Sequence, residues 1–524
     1  MRKNNEALFE LIASLTKSEK RYFKVFAKNH IKDRQNVYLK LFNAIEDQIH
    51  SSDEAYNEDK IKQQFSSEKF INQLPVTKSY LYDLILKSLR IYHASTSKTI
   101  ELKNMLQDIE ILYTRSLNTQ CLSLIEKAKQ FAHKYNKNED LQLLNTWEQK
   151  IFLTASLKNI NTYKTEGEIL VNEGIQLIKE TEVKNEYFSL ALKMSLFIRE
   201  KGFIKDKDDF KFIQQIMKHP FLQNESKINS FDKKRYYYVL WSIYYNTIRN
   251  YHKAYIYRKK LVELWNKNPI LISDQFINYL FAVTNLLYTL GKLLKVNEFF
   301  IELENLKKTA SSTLSSQTKI IQIQYYTNIY IEETSIYIKL GWFEKALPLV
   351  DKIKIKLKEE QTHITDEIKL LLYMNIAKIY FGLNNYDESH IWINKILNNK
   401  KTASRGDVQN FAKFMNLILH FELGNMILLQ NILKSTEKSI KKTAFLYHAE
   451  KIIIEMIKKS LDIHSSTELK KLFSISKNKL LATFNDSFES QILDYFDLVS
   501  WLESKIQGKP FSNVLQETSK NALK

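Results

Sequence analysis

The chain has 524 residues and a formal charge of +19, and its nine Gly and five Pro supply too little turn chemistry for an all-β or an alternating α/β fold. At 44% hydrophobic and 12% aromatic residues it is too apolar for general disorder, which leaves an all-α chain. The single Cys121 excludes an internal disulfide framework and a thiolate zinc site, and its helical spacing with Ile125 and Ala128 predicts a packing role.

The start, MRKNNEALFELIASLTKSEK, is basic, but Glu10 interrupts its apolar run and there is no small-residue cleavage pattern after it, so no signal peptide is expected. No stretch approaches the roughly 18 apolar residues of a membrane span, and a cytoplasmic protein is expected. The positive charge is spread along the chain: residues 1–100 hold 17 basic and 12 acidic residues, close to the chain-wide excess. Only 10 of the 78 basic residues are Arg. That pattern favours solvated helix faces over a phosphate-binding surface.

In chain order, Thr16-x-x-Glu19 is a capping box that opens a helix with Tyr22, Phe23, Val25 and Phe26 on one side. A second amphipathic helix is predicted from about residue 36 to 48, through Val37, Leu41, Phe42 and Ile45. Between Lys69 and Arg90 come a short helix, a break at Leu74-Pro75-Val76-Thr77 and a longer helix, a layout that resembles a helix-turn-helix. Thr77 would cap the second helix, Leu81 and Leu84 would face the core, and Lys78, Ser79, Tyr82 and Lys87 would be available to DNA. Ile71 and Pro75 depart from that motif, and no Arg-rich face reads bases, so a helical domain over residues 1–95 that caps the later helices is favoured.

From about Ile100 helical hairpins begin, with breaks near Ser116, Asn159, Gly202, Arg249, Leu294, Gly341, Asn384, Gly424, Asp462 and Gly508. These lie 38 to 47 residues apart, about 44 on average, and predict an array over residues 96–510. Residues 511–524 form a polar end, with Glu517, Lys520 and Lys524 outward, preceded by one long helix that stops at Gly508 and Pro510. Two passes of one pattern stand out between Tyr330 and Leu397. Each is an aromatic-rich helix, a turn, and a second helix opening with Phe343 and Ala346, or Tyr386 and Ser389.

Tyr238, Trp241, Ser242 and Tyr245, then Tyr251, Ala254 and Pro269, stand in the order of the tetratricopeptide repeat. The same order returns at Tyr337, Gly341, Phe343 and Ala346, and at Tyr373, Ile376, Ala377, Tyr380, Tyr386 and Ser389. The chain therefore resembles that family, with a longer period than its usual 34 residues, and HEAT-like repeats remain the alternative for the weaker units. Arg258 and Glu333 occupy slots that the family fills with large apolar residues.

The resemblance implies a right-handed α-solenoid, all-α, that acts as an intracellular scaffold holding a peptide or partner helix in a concave groove. Carried over repeat by repeat, the groove residues would be Asn246 with Thr247, then Asn328, Ser335 and Lys339, then Asn375 and Lys378. Asn375 would hold a peptide backbone by donating and accepting at once. Val239, Ile243, Ile331, Phe381, Phe414 and Phe421 would form apolar patches, covered by a partner helix, the N-terminal segment or a second copy, or else belonging to the core. A terminal-carboxylate clamp is not reproduced in successive repeats. No cofactor, metal site or catalytic constellation is expected, and the carboxylate pairs Asp208-Asp209 and Glu332-Glu333 read as solvated surface. The partner is a protein or peptide, with nucleic acid less favoured and a homo-oligomer allowed. The alternative function is a bacterial-type regulator in which residues 1–95 bind DNA or an effector and the array senses a peptide.

Overall fold

The computed structural model describes residues 4–30, 37–50, 56–94, 97–154, 160–201, 207–361, 363–399, 406–442, 448–484 and 489–522, and among these every regular element is helical. No helix among them is long and apolar enough to cross a membrane. The chain divides into two compact units, residues 1–181 and 182–524. The predicted breaks at Asn159 and Gly202, and Lys524, lie outside the described residues.

In the first unit α1 (Asn4–Ser14), α2 (Lys17–His30), α3 (Val37–His50), α4 (Glu58–Gln64) and α5 (Leu74–Tyr92) enclose Ile12, Phe23, Phe42, Ile45, Leu81 and Ile85. The capping box forms as expected: Glu19 Oε2 accepts from Thr16 N at 2.7 Å, and Glu19 N donates to Thr16 Oγ1 at 3.2 Å. Val25 instead points outward, 53% exposed. The break before α5 falls earlier than predicted. Pro75 sits inside the first turn, where its missing N–H costs nothing, and Thr77 Oγ1 donates back to the Gln73 carbonyl at 3.1 Å instead of capping.

Helices α6 (Lys98–Thr114), α7 (Asn118–Lys134) and α8 (Asn138–Thr154) share a second cluster with Cys121, Ile125 and Ala128 fully buried in it, as the spacing indicated. Between the predicted breaks at Asn159 and Gly202, α9 (Ile160–Lys201) runs 42 residues as one helix instead of a pair. The run Lys179–Asn185 is mostly Lys and Glu, good helix formers with no Gly or Pro to stop them. The division between the two units falls within it, after Thr181.

The second unit contains α10 (Lys207–Met217), α11 (Phe231–Thr247), α12 (Tyr251–Asn266), α13 (Pro269–Asp274), α14 (Phe276–Lys292), α15 (Val296–Thr313), α16 (Lys319–Lys339), α17 (Phe343–Glu359), α18 (Asp366–Gly382), α19 (Tyr386–Leu397), α20 (Gly406–Glu422), α21 (Met426–Lys442), α22 (His448–Ser460), α23 (Ser466–Thr483), α24 (Leu498–Gln507) and α25 (Phe511–Ala522). Neighbours pair as hairpins, and α14, α16, α18 and α20 each pack on the next, the stacking of an α-solenoid. Small residues set the approach: Ala254, Ala346, Ala377 and Ser389 are fully buried, and Ser389 Oγ donates to the Ala377 carbonyl at 2.8 Å.

One turn closes nearly every hairpin. Ser116, Arg249, Leu294, Gly341, Asn384, Gly424 and Gly508, all predicted breaks, have φ between 53° and 69°. The residue after each donates back five positions, as Asn250 N does to Tyr245 O and Trp342 N to Tyr337 O, both at 2.8 Å. Asn136 makes the same turn between α7 and α8, where the period predicts no break. Only three of the eight are Gly, so the others hold a left-handed conformation that disfavours a side chain. Ser116 is exposed and its side chain makes no packing contribution to the core. Ser116→Gly is expected to stabilise the first unit by about 0.5–1 kcal/mol in urea unfolding; a loss of stability would count against strain at this turn.

A roofed pocket in the solenoid

The second unit encloses a pocket of about 710 Å³ between α14, α16 and α18. Its fourth side is the chain's own C-terminal segment. The single long helix predicted before Gly508 is broken instead: a 3₁₀ turn over Glu489–Asp494 gives way to α24, which Asp497 caps by accepting from Ser500 N at 2.9 Å. The break lays Leu493 to Asp497 across the pocket, and Phe511 and Leu515 of α25 close one end.

Pairing holds the roof in place. Asp494 joins Lys292 Nζ at 2.5 Å and Arg249 at 3.3 Å, so it answers cations from two hairpins. Phe496 meets Phe381 edge-on at 5.2 Å, Tyr495 stacks on Phe411 at 5.1 Å, and Trp501 meets Phe421 at 6.0 Å. The apolar positions Phe381, Phe414 and Phe421 are therefore not open groove. Phe381 and Phe414 are 1% exposed; Phe414 belongs to the core, and what covers Phe381 and Phe421 is the C-terminal segment rather than a partner helix, the N-terminal segment or a second copy.

Four of the seven expected groove residues, Ser335, Lys339, Asn375 and Lys378, come together on this pocket; Asn246, Thr247 and Asn328 do not. Asn328 Nδ2 donates to the Gln324 carbonyl in its own helix at 2.7 Å, and Asn246 Oδ1 is buried with no hydrogen-bond partner among the described residues. Asn375 is committed to packing: its Nδ2 donates to Thr334 Oγ1 at 2.9 Å and reaches Ser335 Oγ at 3.3 Å, tying α18 to α16. Ser335 and Lys339 stay exposed, and Lys339 Nζ donates to the Gly291 carbonyl at 2.8 Å.

The pocket wall carries unusual protonation. Burial, together with repulsion from Lys292, pulls the Lys378 ammonium down to about 7. Burial pushes the Glu332 carboxyl up to about 8, against the pull of Arg258 and Lys292. Glu332 thus corrects the surface reading: it lines the pocket, while Glu333 is half-buried and bonded by Tyr337. Asp209 is likewise buried, 6% exposed.

Sequence reasoning passes over Lys292 and Asp494 and places Glu332 on the surface. One signal is present: Arg258 in an apolar slot, a buried cation that must find acceptors. It donates to the Asn285 carbonyl at 2.8 Å and to Thr289 Oγ1 on α14, one helix from the pocket.

In the first unit the residues considered for DNA contact separate. Ser79 and Lys87 are exposed and Tyr82 is half-buried, but Lys78 is 6% exposed, paired with Glu58 and lying over the Tyr56 ring at 4.7 Å. Its charge is answered internally and is withdrawn from that face.

Compared with known proteins, the chain matches no family model and no curated sequence.

Proposed function

We propose that the chain is an interaction scaffold of tetratricopeptide type, recognising a protein or peptide partner through the pocket between α14, α16 and α18. The observation that carries this reading is convergence: residues drawn from successive hairpins at the positions expected to touch a partner, Ser335, Lys339 and Lys378, line one cavity. Its volume lies within the roughly 300–1,000 Å³ of ordinary recognition sites. The roof narrows what can enter. A cavity of this volume suits one or two anchoring side chains of a partner, with Leu493–Asp497 in its lining.

A random peptide library displayed against the full chain tests this. Peptides should be enriched, and Ser335→Trp, which plugs the pocket from an exposed position, should lower their capture roughly tenfold or more. No enrichment, or enriched peptides indifferent to Ser335→Trp, would remove the pocket as the recognition site.

A further inference from the structure

The pocket holds one cation, Lys378, that no described residue pairs directly, although the Asp494 carboxylate attracts it. Lys378 is 9% exposed, and among the described residues its Nζ makes no hydrogen bond or ion pair; the Phe411 ring lies 5.9 Å away. The neighbouring cations are engaged: Lys292 by Asp494, Lys339 by the Gly291 carbonyl, Arg258 by Thr289 and Asn285. An unpaired ammonium this deeply placed costs stability, and a hydrophobic side chain of similar length would pack there without that cost. Leu371, Met374, Val408 and Phe496 supply apolar surface to the same pocket, beside its charged residues.

We propose that this pocket receives a single carboxylate carried on an apolar body, the carboxylate seated on Lys378 Nζ and the body against Leu371, Met374 and Phe496. Charge count separates a carboxylate from a phosphate. One cation has no hydrogen bond or ion pair among the described residues, and the carboxylates of Asp494 and Asp497 on the same wall oppose a second negative charge. The depressed Lys378 ammonium agrees with a site completed by an anion, because a carboxylate at Nζ restores the charged form. This inference rests on the reading of the pocket as the recognition site and names its ligand chemistry, which a free organic acid and an acidic side chain of a partner share.

The test is isothermal titration of the full chain with octanoate, with octanol and octylamine as controls of equal length, and with a capped peptide carrying one glutamate between leucines. At least one carboxylate should bind, and octanol and octylamine roughly tenfold or more weaker. Binding of octanoate identifies a free acid as sufficient; binding of the peptide alone identifies a partner's side chain. Lys378→Met should lower carboxylate affinity roughly tenfold or more while its melting temperature stays the same or rises, the opposite of what a structural lysine would do. Should that variant fail to fold, Ser335→Trp must abolish carboxylate binding from its exposed position. The proposal is overturned if neither carboxylate binds, if the controls bind as tightly, or if binding survives Lys378→Met or Ser335→Trp. Library peptides that lack a carboxylate yet depend on the pocket would leave the scaffold reading standing and remove this one.

Discussion

Gly382→Leu is expected to destabilise the 182–524 unit by about 3 kcal/mol or more, measured as a shift in urea unfolding followed at that unit. Gly382 ends α18, and a Cβ built on it overlaps the ring of Phe343 at the start of α17. That ring cannot retreat. It is 2% exposed and stacked against Phe511 of α25 at 6.1 Å, so any side chain at Gly382 must displace two helices. Gly382→Ala should cost less, and Phe343→Leu should recover part of the loss in the double variant, because the two residues act through one contact. A shift below about 1 kcal/mol for Gly382→Leu would mean that α17 and α18 do not meet at this distance.

Trp501→Ala should cost about 3 to 5 kcal/mol and, unlike Gly382→Leu, should act first on the pocket roof. Trp501 is 1% exposed, and its Nε1 donates to Glu422 Oε1 at 2.6 Å, a carboxylate that Lys505 also holds. Removing the ring leaves a cavity beside Phe421 and a half-answered carboxylate in the same place. Since α24 carries the Asp497 cap that fixes the end of the roof, amide exchange should speed up across α24, α25 and the end of α20, while residues 1–181 keep their protection. Trp501→Phe should retain most of that protection. Unchanged exchange in α24 and α25 would show that the roof is held by other contacts.

Much of the fold is legible in the sequence because its turns recur. Seven predicted breaks coincide with left-handed residues, Leu294 among them, although five of the eight such turns carry no glycine to mark them. Periodicity finds them where composition is silent. Asn136 escapes because α6, α7 and α8 succeed one another at a shorter spacing than the period, and the continuity of α9 escapes because break spacing alone does not say whether one helix or two lie between two breaks. Gly382 shows the same boundary at the level of one residue. Its neighbours in sequence mark a turn, but its role depends on Phe343, some forty positions earlier, and on Phe511, far beyond.

The candidate site divides along the same line. Ser335, Lys339 and Lys378 are legible as positions on one face of the first helices because helical register places them, given the repeat, whereas the structure alone puts them on one pocket. Asn375 is placed by the same register but does different work, since its bond to Thr334 belongs to the packing between repeats.

By itself, then, the sequence determined an all-helical chain, the position of most hairpin turns and the small residues at which helices meet, because those arise from short-range periodicity and backbone chemistry. Only the tertiary structure decided that the C-terminal segment lies over the repeats, that Asp494 answers Lys292 and Arg249, and that Lys378 is left without a partner among the described residues. Burial and charge pairing between residues more than a hundred positions apart leave no local pattern, so they become visible only once the chain has closed on itself.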